Sequence, residues 1–267
     1  MEHPYTFAQE LYHVAKNAIL NYIFSIVLSH RQSMANTRFD LGSWNIINIK
    51  LNVHKKWSVF AEAQLRSLRF YHHFHYHEYK AGVSFKAHPN VVLTLAAGDY
   101  DTYREGGNFI RPKNNAEFRL WPQVILQHPI WILRIEQRYR AEFRFTSSGY
   151  RNRFRYRLGI SIPFGKDKKG YKPFTAQLSN ELFFTDKEPY FERNRAQIGL
   201  NYKINKIVAL QVGYLHQFDY KINDETGRDF LVVGCFIEIS DFKKKGREKP
   251  VAPTNVPEVN TPMLPDN

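Results

Sequence analysis

Between residues 131 and 145 the chain reads WILRIEQRYRAEFRF. Taken alternately, Trp131, Leu133, Ile135, Tyr139, Ala141, Phe143 and Phe145 fall on one face, and Arg134, Glu136, Arg138, Arg140, Glu142 and Arg144 on the other. A period of two belongs to an extended strand, because successive side chains there point to opposite sides; a helix would repeat every 3.6 residues. The run is long for a strand, whose usual length is about five or six residues. The same division recurs elsewhere. In 150–163, Phe154, Tyr156, Leu158, Ile160 and Ile162 oppose Arg151, Arg153, Arg155, Arg157 and Ser161. In 191–204, Ala196, Ile198, Leu200, Tyr202 and Ile204 oppose Arg193, Arg195, Gln197, Asn201 and Lys203. In 57–69, Val59, Ala61, Ala63 and Leu65 oppose Ser58, Glu62, Gln64 and Arg66.

Extended over the chain, the pattern predicts eleven strands: 43–52, 57–69, 77–87, 90–102, 114–127, 130–145, 150–163, 173–186, 191–204, 207–220 and 228–240. The first is ambiguous and the last, FLVVGCFIEI, alternates poorly. Short links, as at 52–56 and 88–90, alternate with longer ones, as at 70–76 and 103–113; the link 165–172 departs from this rule. A greasy face opposite an ionic one suits a barrel with lipid outside and a wet lumen inside. The expected fold is therefore all-β: a single antiparallel up-and-down transmembrane β-barrel with an Arg/Glu-lined lumen. Single-chain bacterial barrels have even strand numbers, so ten or twelve strands are expected, with the discrepancy placed near the N-terminus. A soluble barrel would turn the same strands round, burying the apolar face.

Composition changes this picture little. The mean hydropathy of −0.49 reads as soluble, but that measure is blind to strands that meet lipid with every second residue. The aromatic content of 15% suits interfacial girdles and strands alike. The single cysteine, Cys235, excludes a disulfide within the chain. There are 38 Lys+Arg against 25 Asp+Glu, a formal net charge of +13. These arginines stand at strand spacing rather than in a basic tail or helix, and no nucleic-acid-binding signature accompanies them, so nucleic acid is not an expected partner. Ala18 to Ser29 is an apolar run of signal-peptide length, followed by Ser33-Met34-Ala35 as a cleavage motif. The expected organisation is a signal peptide at 1–35, an outer-membrane barrel at 36–242, and a basic, proline-rich, disordered tail at 243–267.

The ionic face supplies the candidate site. Its residues are Glu62, Arg66, Glu117, Arg119, Arg134, Glu136, Arg138, Arg153, Arg155, Arg157, Glu181, Arg193 and Arg195. In a narrow barrel such groups pair and fill the lumen; the arginine surplus would alternatively make a basic conduit or pocket for small anionic solutes. The run His72-His73-Phe74-His75-Tyr76-His77 offers His73, His75 and His77 as weak metal candidates on one strand face. A straight strand spreads them over about 13 Å, too far to converge on one ion. Ser179 and His216 are available for hydrolytic chemistry, but no spacing singles them out. No cofactor is indicated.

LGSWN at 41–45, KKWSVFAEAQLRS at 55–67, EFRLWPQ at 117–123, LRIEQRYR at 133–140, RNRFRYRLG at 151–159, NELFF at 180–184 and RNRAQIGLNYK at 193–203 together resemble an uncharacterised bacterial family, domain of unknown function 2490. The resemblance covers about 41–240. It implies an outer-membrane β-barrel of a Gram-negative cell behind a signal peptide, with membrane lipid and the barrel-assembly machinery as partners, and no known activity. The final aromatic residue of such barrels would here be Phe242, which is internal. The expected function is a structural barrel or a small, porin-like pore with a basic lumen. A membrane-embedded enzyme acting on lipid or lipopolysaccharide, and a soluble ligand-binding barrel, are the alternatives.

Overall fold

The computed structural model describes residues 41–166, 172–220 and 226–240. The strands are β1 (Leu41–Asn52), β2 (Trp57–Arg69), β3 (His72–His88), β4 (Val91–Arg104), β5 (Ile110–Ile130), β6 (Leu133–Thr146), β7 (Gly149–Phe164), β8 (Phe174–Thr185), β9 (Phe191–Lys203), β10 (Val208–Asp219) and β11 (Thr226–Ser240). Each pairs antiparallel with the next, and β1 pairs with β11 to close a barrel. The expected signal peptide at 1–35, the expected tail at 243–267 and Phe242 lie outside the described residues.

Three expectations change. First, among the described residues the barrel has eleven strands, not ten or twelve. In an up-and-down meander of odd number, the first and last strands run the same way, so closure must be parallel. It is: β1 and β11 pair in parallel from Leu41↔Asp229 to Asn52↔Ser240. Second, β3 begins at His72 and β5 at Ile110, so strands replace much of the expected longer loops, and the links at 70–71 and 147–148 are as short as those at the other end. The end carrying 105–109 and 186–190 is the long-loop end; the end carrying 53–56, 89–90 and 131–132 is the short-turn end, although it also carries the link 165–173. Third, Trp131 is not part of β6. It sits in the turn between β5 and β6 with a φ of 52°, a left-handed conformation that swings it off the strand face, and it is 81% exposed.

The barrel presents two unlike walls. Outside are apolar side chains of every strand, including Ile47, Val83, Leu95, Leu120, Tyr139, Phe154, Ile198, Leu200, Tyr202 and Val212. Leu133, Ile135 and Tyr156 are partly exposed. Inside, polar and charged groups are buried, among them Arg138, Arg155, Arg157 and Glu181. Two apolar clusters interrupt this polar interior. Trp44, Ile46, Leu215, Phe230 and Val232 pack beside the β1–β11 seam, and Phe60, Tyr76, Ala96, Tyr100 and Trp121 pack between β2 and β5.

Candidate functional site: the charged interior

Register decides which charges meet. On β6 and β7, Arg138 stands opposite Arg157 and Arg140 opposite Arg155. Like charges directly across a strand pair repel, so carboxylates must intervene, and they do so in sequence. Glu117 accepts from Arg144 Nη2 at 3.0 Å, and Arg144 Nη1 is 3.3 Å from Glu192. Glu192 accepts from Arg153 Nη1 at 3.1 Å, and Arg153 Nε donates to Glu142 at 2.7 Å. Glu142 accepts from Arg155 Nη1 at 2.8 Å. Arg155 Nη2 and Arg138 Nη2 meet Glu181 at 2.9 and 2.5 Å. The result is a continuous alternation of arginines and glutamates from one mouth to the middle of the barrel. Charge-assisted, forked contacts of this kind are the strong members of the hydrogen-bond family.

The remaining candidate residues join it or form smaller groups. Arg119 donates to Glu117 at 2.6 Å, and Arg157 is paired with Glu136. Arg66 contacts Glu78 at 3.0 Å, while Lys80 bridges Glu62 and Glu78 at 2.7 and 2.8 Å. Arg193 pairs with Asp219, and Arg195 takes the Gln217 carbonyl at 2.9 and 3.0 Å. Arg134 is half-buried at the short-turn end and makes no ion pair among the described residues.

Several members were not among the candidates. Arg140, Glu142 and Arg144 lie on the ionic face of β6 and were legible there. Glu78 and Lys80 were obscured by the histidine run before them, and Glu192 and Asp219 by their places at strand ends. The inward aromatics carried no usable sequence signal. Phe183 is surrounded by the guanidinium groups of Arg155, Arg195, Arg153 and Arg193, at 4.5, 4.8, 5.3 and 5.8 Å from its ring. Arg66 lies 3.3 Å over Trp44, and Arg119 3.6 Å over Tyr100. Aromatic faces attract these cations without adding charge.

The three histidines do not share a face. A bulge opposite Arg66 and Ser67 shifts β3 by one residue, burying both His75 and Tyr76. His77 lies instead against Tyr103 and Asp101, at 3.3 and 3.7 Å. Among the described residues no cluster of three His, Cys, Asp or Glu could hold a metal. Ser179 is buried inside the barrel. His216 follows the inward Leu215 on β10 and faces the other way, 2.8 Å from Asp229.

The described barrel coincides with a shared sequence unit. A model of the family described as protein of unknown function (DUF2490) matches residues 41–228. The chain belongs to that family. No curated protein and no solved structure matches it. The matched region of this DUF2490 member runs from the first residue of β1 into β11 and contains the whole ionic network.

Two cavities open at opposite ends. The one at the long-loop end has about 670 Å³ and is lined by Glu117, Arg119, Arg144, Arg153, Glu192 and Arg193 among others. The one at the short-turn end has about 620 Å³ and is lined by Lys86, Arg134, Glu136, Arg157, Gln177 and Ser179 among others. Arg138, Glu142, Arg155, Glu181 and Arg195 line neither; they are buried between them.

Proposed function

We propose that this chain is an outer-membrane β-barrel whose lumen is closed by its own side chains, and that its role is structural rather than that of an open pore. The observation that carries the reading is the outer wall: large apolar side chains stand exposed on nearly every strand, and Ile198, in the middle of β9, is 51% exposed. Soluble monomers rarely expose contiguous apolar patches above a few hundred Å², whereas lipid requires such a surface. Strand length agrees, since each described strand has at least 12 residues and about 9–11 suffice to cross.

Aromatic rings gather at both ends of that wall. Phe118, Phe145 and Tyr150 adjoin at the long-loop end, as do Phe184, Phe191 and Tyr220. Trp57 with Phe85, and Phe164, Phe174 and Tyr202, do the same at the short-turn end. Aromatic residues favour both membrane interfaces. From Phe191 to Tyr202 the strand rises about 36 Å, which a tilt of about 40° reduces to about 28 Å, near the ~25 Å of an outer-membrane belt.

On this reading residues 1–35 serve export and membrane lipid and the assembly machinery are the partners. The closed centre argues against steady conduction, because Arg138, Arg155 and Glu181 are buried where a path would run. Cell fractionation tests the proposal. The protein should sediment with outer membranes and run as a compact, heat-modifiable band in SDS. Recovery in the soluble fraction would overturn the membrane reading and favour a soluble barrel.

A further inference from the structure

The two mouths differ in charge balance. Among the described residues, eight basic and six acidic side chains line the cavity at the long-loop end. At the short-turn end, among the described residues, six basic side chains line the cavity and Glu136 is the one carboxylate with them. Clefts lined by one sign of charge concentrate counter-ions of the other. Charge alone would make only an attractive surface, but two buried polar side chains among the lining residues, Arg157 and Gln177, also hold donors with no acceptor among the described residues. Arg157 is 2% exposed; Glu136 takes its Nη2, and its Nε and Nη1 have no acceptor among the described residues. Gln177 is 7% exposed, and its Nε2 likewise has no partner. Buried donors left without acceptors are costly, and native structures nearly always supply one. Arg134 brings a second guanidinium to the same cavity, and the hydroxyls of Ser161 and Ser179 are further donors. Gly159 also faces this space. A side chain there would first meet Glu136 and Ser179 at 3.9 Å, so the absence of a Cβ leaves room rather than relieving a clash.

We infer that the cavity at the short-turn end is a binding site for a phosphate group. Guanidinium forks match phosphate oxygens in geometry, a phosphate monoester offers only acceptors to a donor-rich wall, and about 620 Å³ is of small-ligand size. The inference concerns the barrel mouth and stands whatever surrounds the outer wall. The group could be carried by a small solute or by a lipid headgroup; the chemistry is shared.

The test uses the full chain folded in an uncharged maltoside detergent, free of phosphate. Calorimetric titration with pyrophosphate is compared with chloride at matched ionic strength, and phosphatidic acid in mixed micelles forms the second arm. Saturable binding of pyrophosphate assigns a soluble ligand; binding of phosphatidic acid alone assigns a headgroup. Arg134→Gln, which breaks no ion pair among the described residues, should weaken binding about tenfold, the value of one charge-assisted contact of about 1.4 kcal/mol. Gly159→Leu should weaken binding by crowding the wall beside Glu136 and Ser179 while the barrel still folds. Arg151→Gln at the opposite mouth should leave binding unchanged. The inference is overturned if neither probe binds better than chloride, or if folded Gly159→Leu binds as tightly as the unmodified protein.

Discussion

Glu142 shows what a single carboxylate does in this lumen. It contacts Arg153 and Arg155, with Arg140 at 3.6 Å, and all four side chains are buried. Removing one partner of a buried ion pair leaves an uncompensated charge and costs about 3–5 kcal/mol. Glu142→Ala should therefore lower the temperature at which the compact form is lost in SDS. Glu142→Gln should have a smaller effect, because the amide oxygen still accepts one hydrogen bond. Equal stability of Glu142→Ala and the unmodified protein would rule out a load shared through this glutamate. The alternation in 131–145 made the face of Glu142 legible, but not its partners. Arg153 is its direct cross-strand neighbour, whereas Arg155 reaches it diagonally; diagonal contacts depend on register and twist, which periodicity does not carry.

At the scale of elements, ten antiparallel ladders follow the meander and the eleventh contact, β1 with β11, is parallel. These two strands are also the ones whose sequence alternates least clearly. The reason is visible inside the barrel: Trp44 and Ile46 of β1 face Phe230 and Val232 of β11, so the seam is apolar on its inner side as well. A strand apolar on both faces loses its period-two signal. The chain's own cysteine tests this closure. Ile47 and Cys235 are register partners across the seam, at a separation that paired strands make compatible with a disulfide. Ile47→Cys should form an oxidised, reductant-sensitive species that migrates differently after unfolding. Ile49→Cys, whose partner is Ile237, should cross-link poorly. The reverse preference would show a different register or an additional closing strand.

For the whole molecule the proposed membrane setting rests on the distribution of apolar surface. In lipid, an arginine at mid-belt costs about 2–4 kcal/mol and one near the interface about 0–1. Ile198→Arg should therefore reduce folding into lipid vesicles, measured as the shift in the urea midpoint, more than Tyr202→Arg near the end of β9. Indistinguishable effects would favour a water-facing outer wall. The buried centre gives a second whole-barrel expectation: purified protein in planar bilayers passes no steady current. Large persistent channels would overturn the closed-lumen reading.

Sequence by itself located eleven strand segments and divided most of them into an apolar and an ionic face, because period-two alternation is a local consequence of strand geometry. It also showed the family through motifs in β1 to β9. Tertiary structure decided the rest. The even strand count expected of such barrels failed because β1 pairs with β11 in parallel and closes an odd number, a contact between residues nearly the whole barrel apart in sequence. The histidines parted because a bulge displaced one residue of β3 against β2. The arginines and glutamates became a network, and the short-turn mouth kept donors to spare, only when register set strands side by side. Such contacts arise between residues far apart along the chain, and only the folded barrel brings them together.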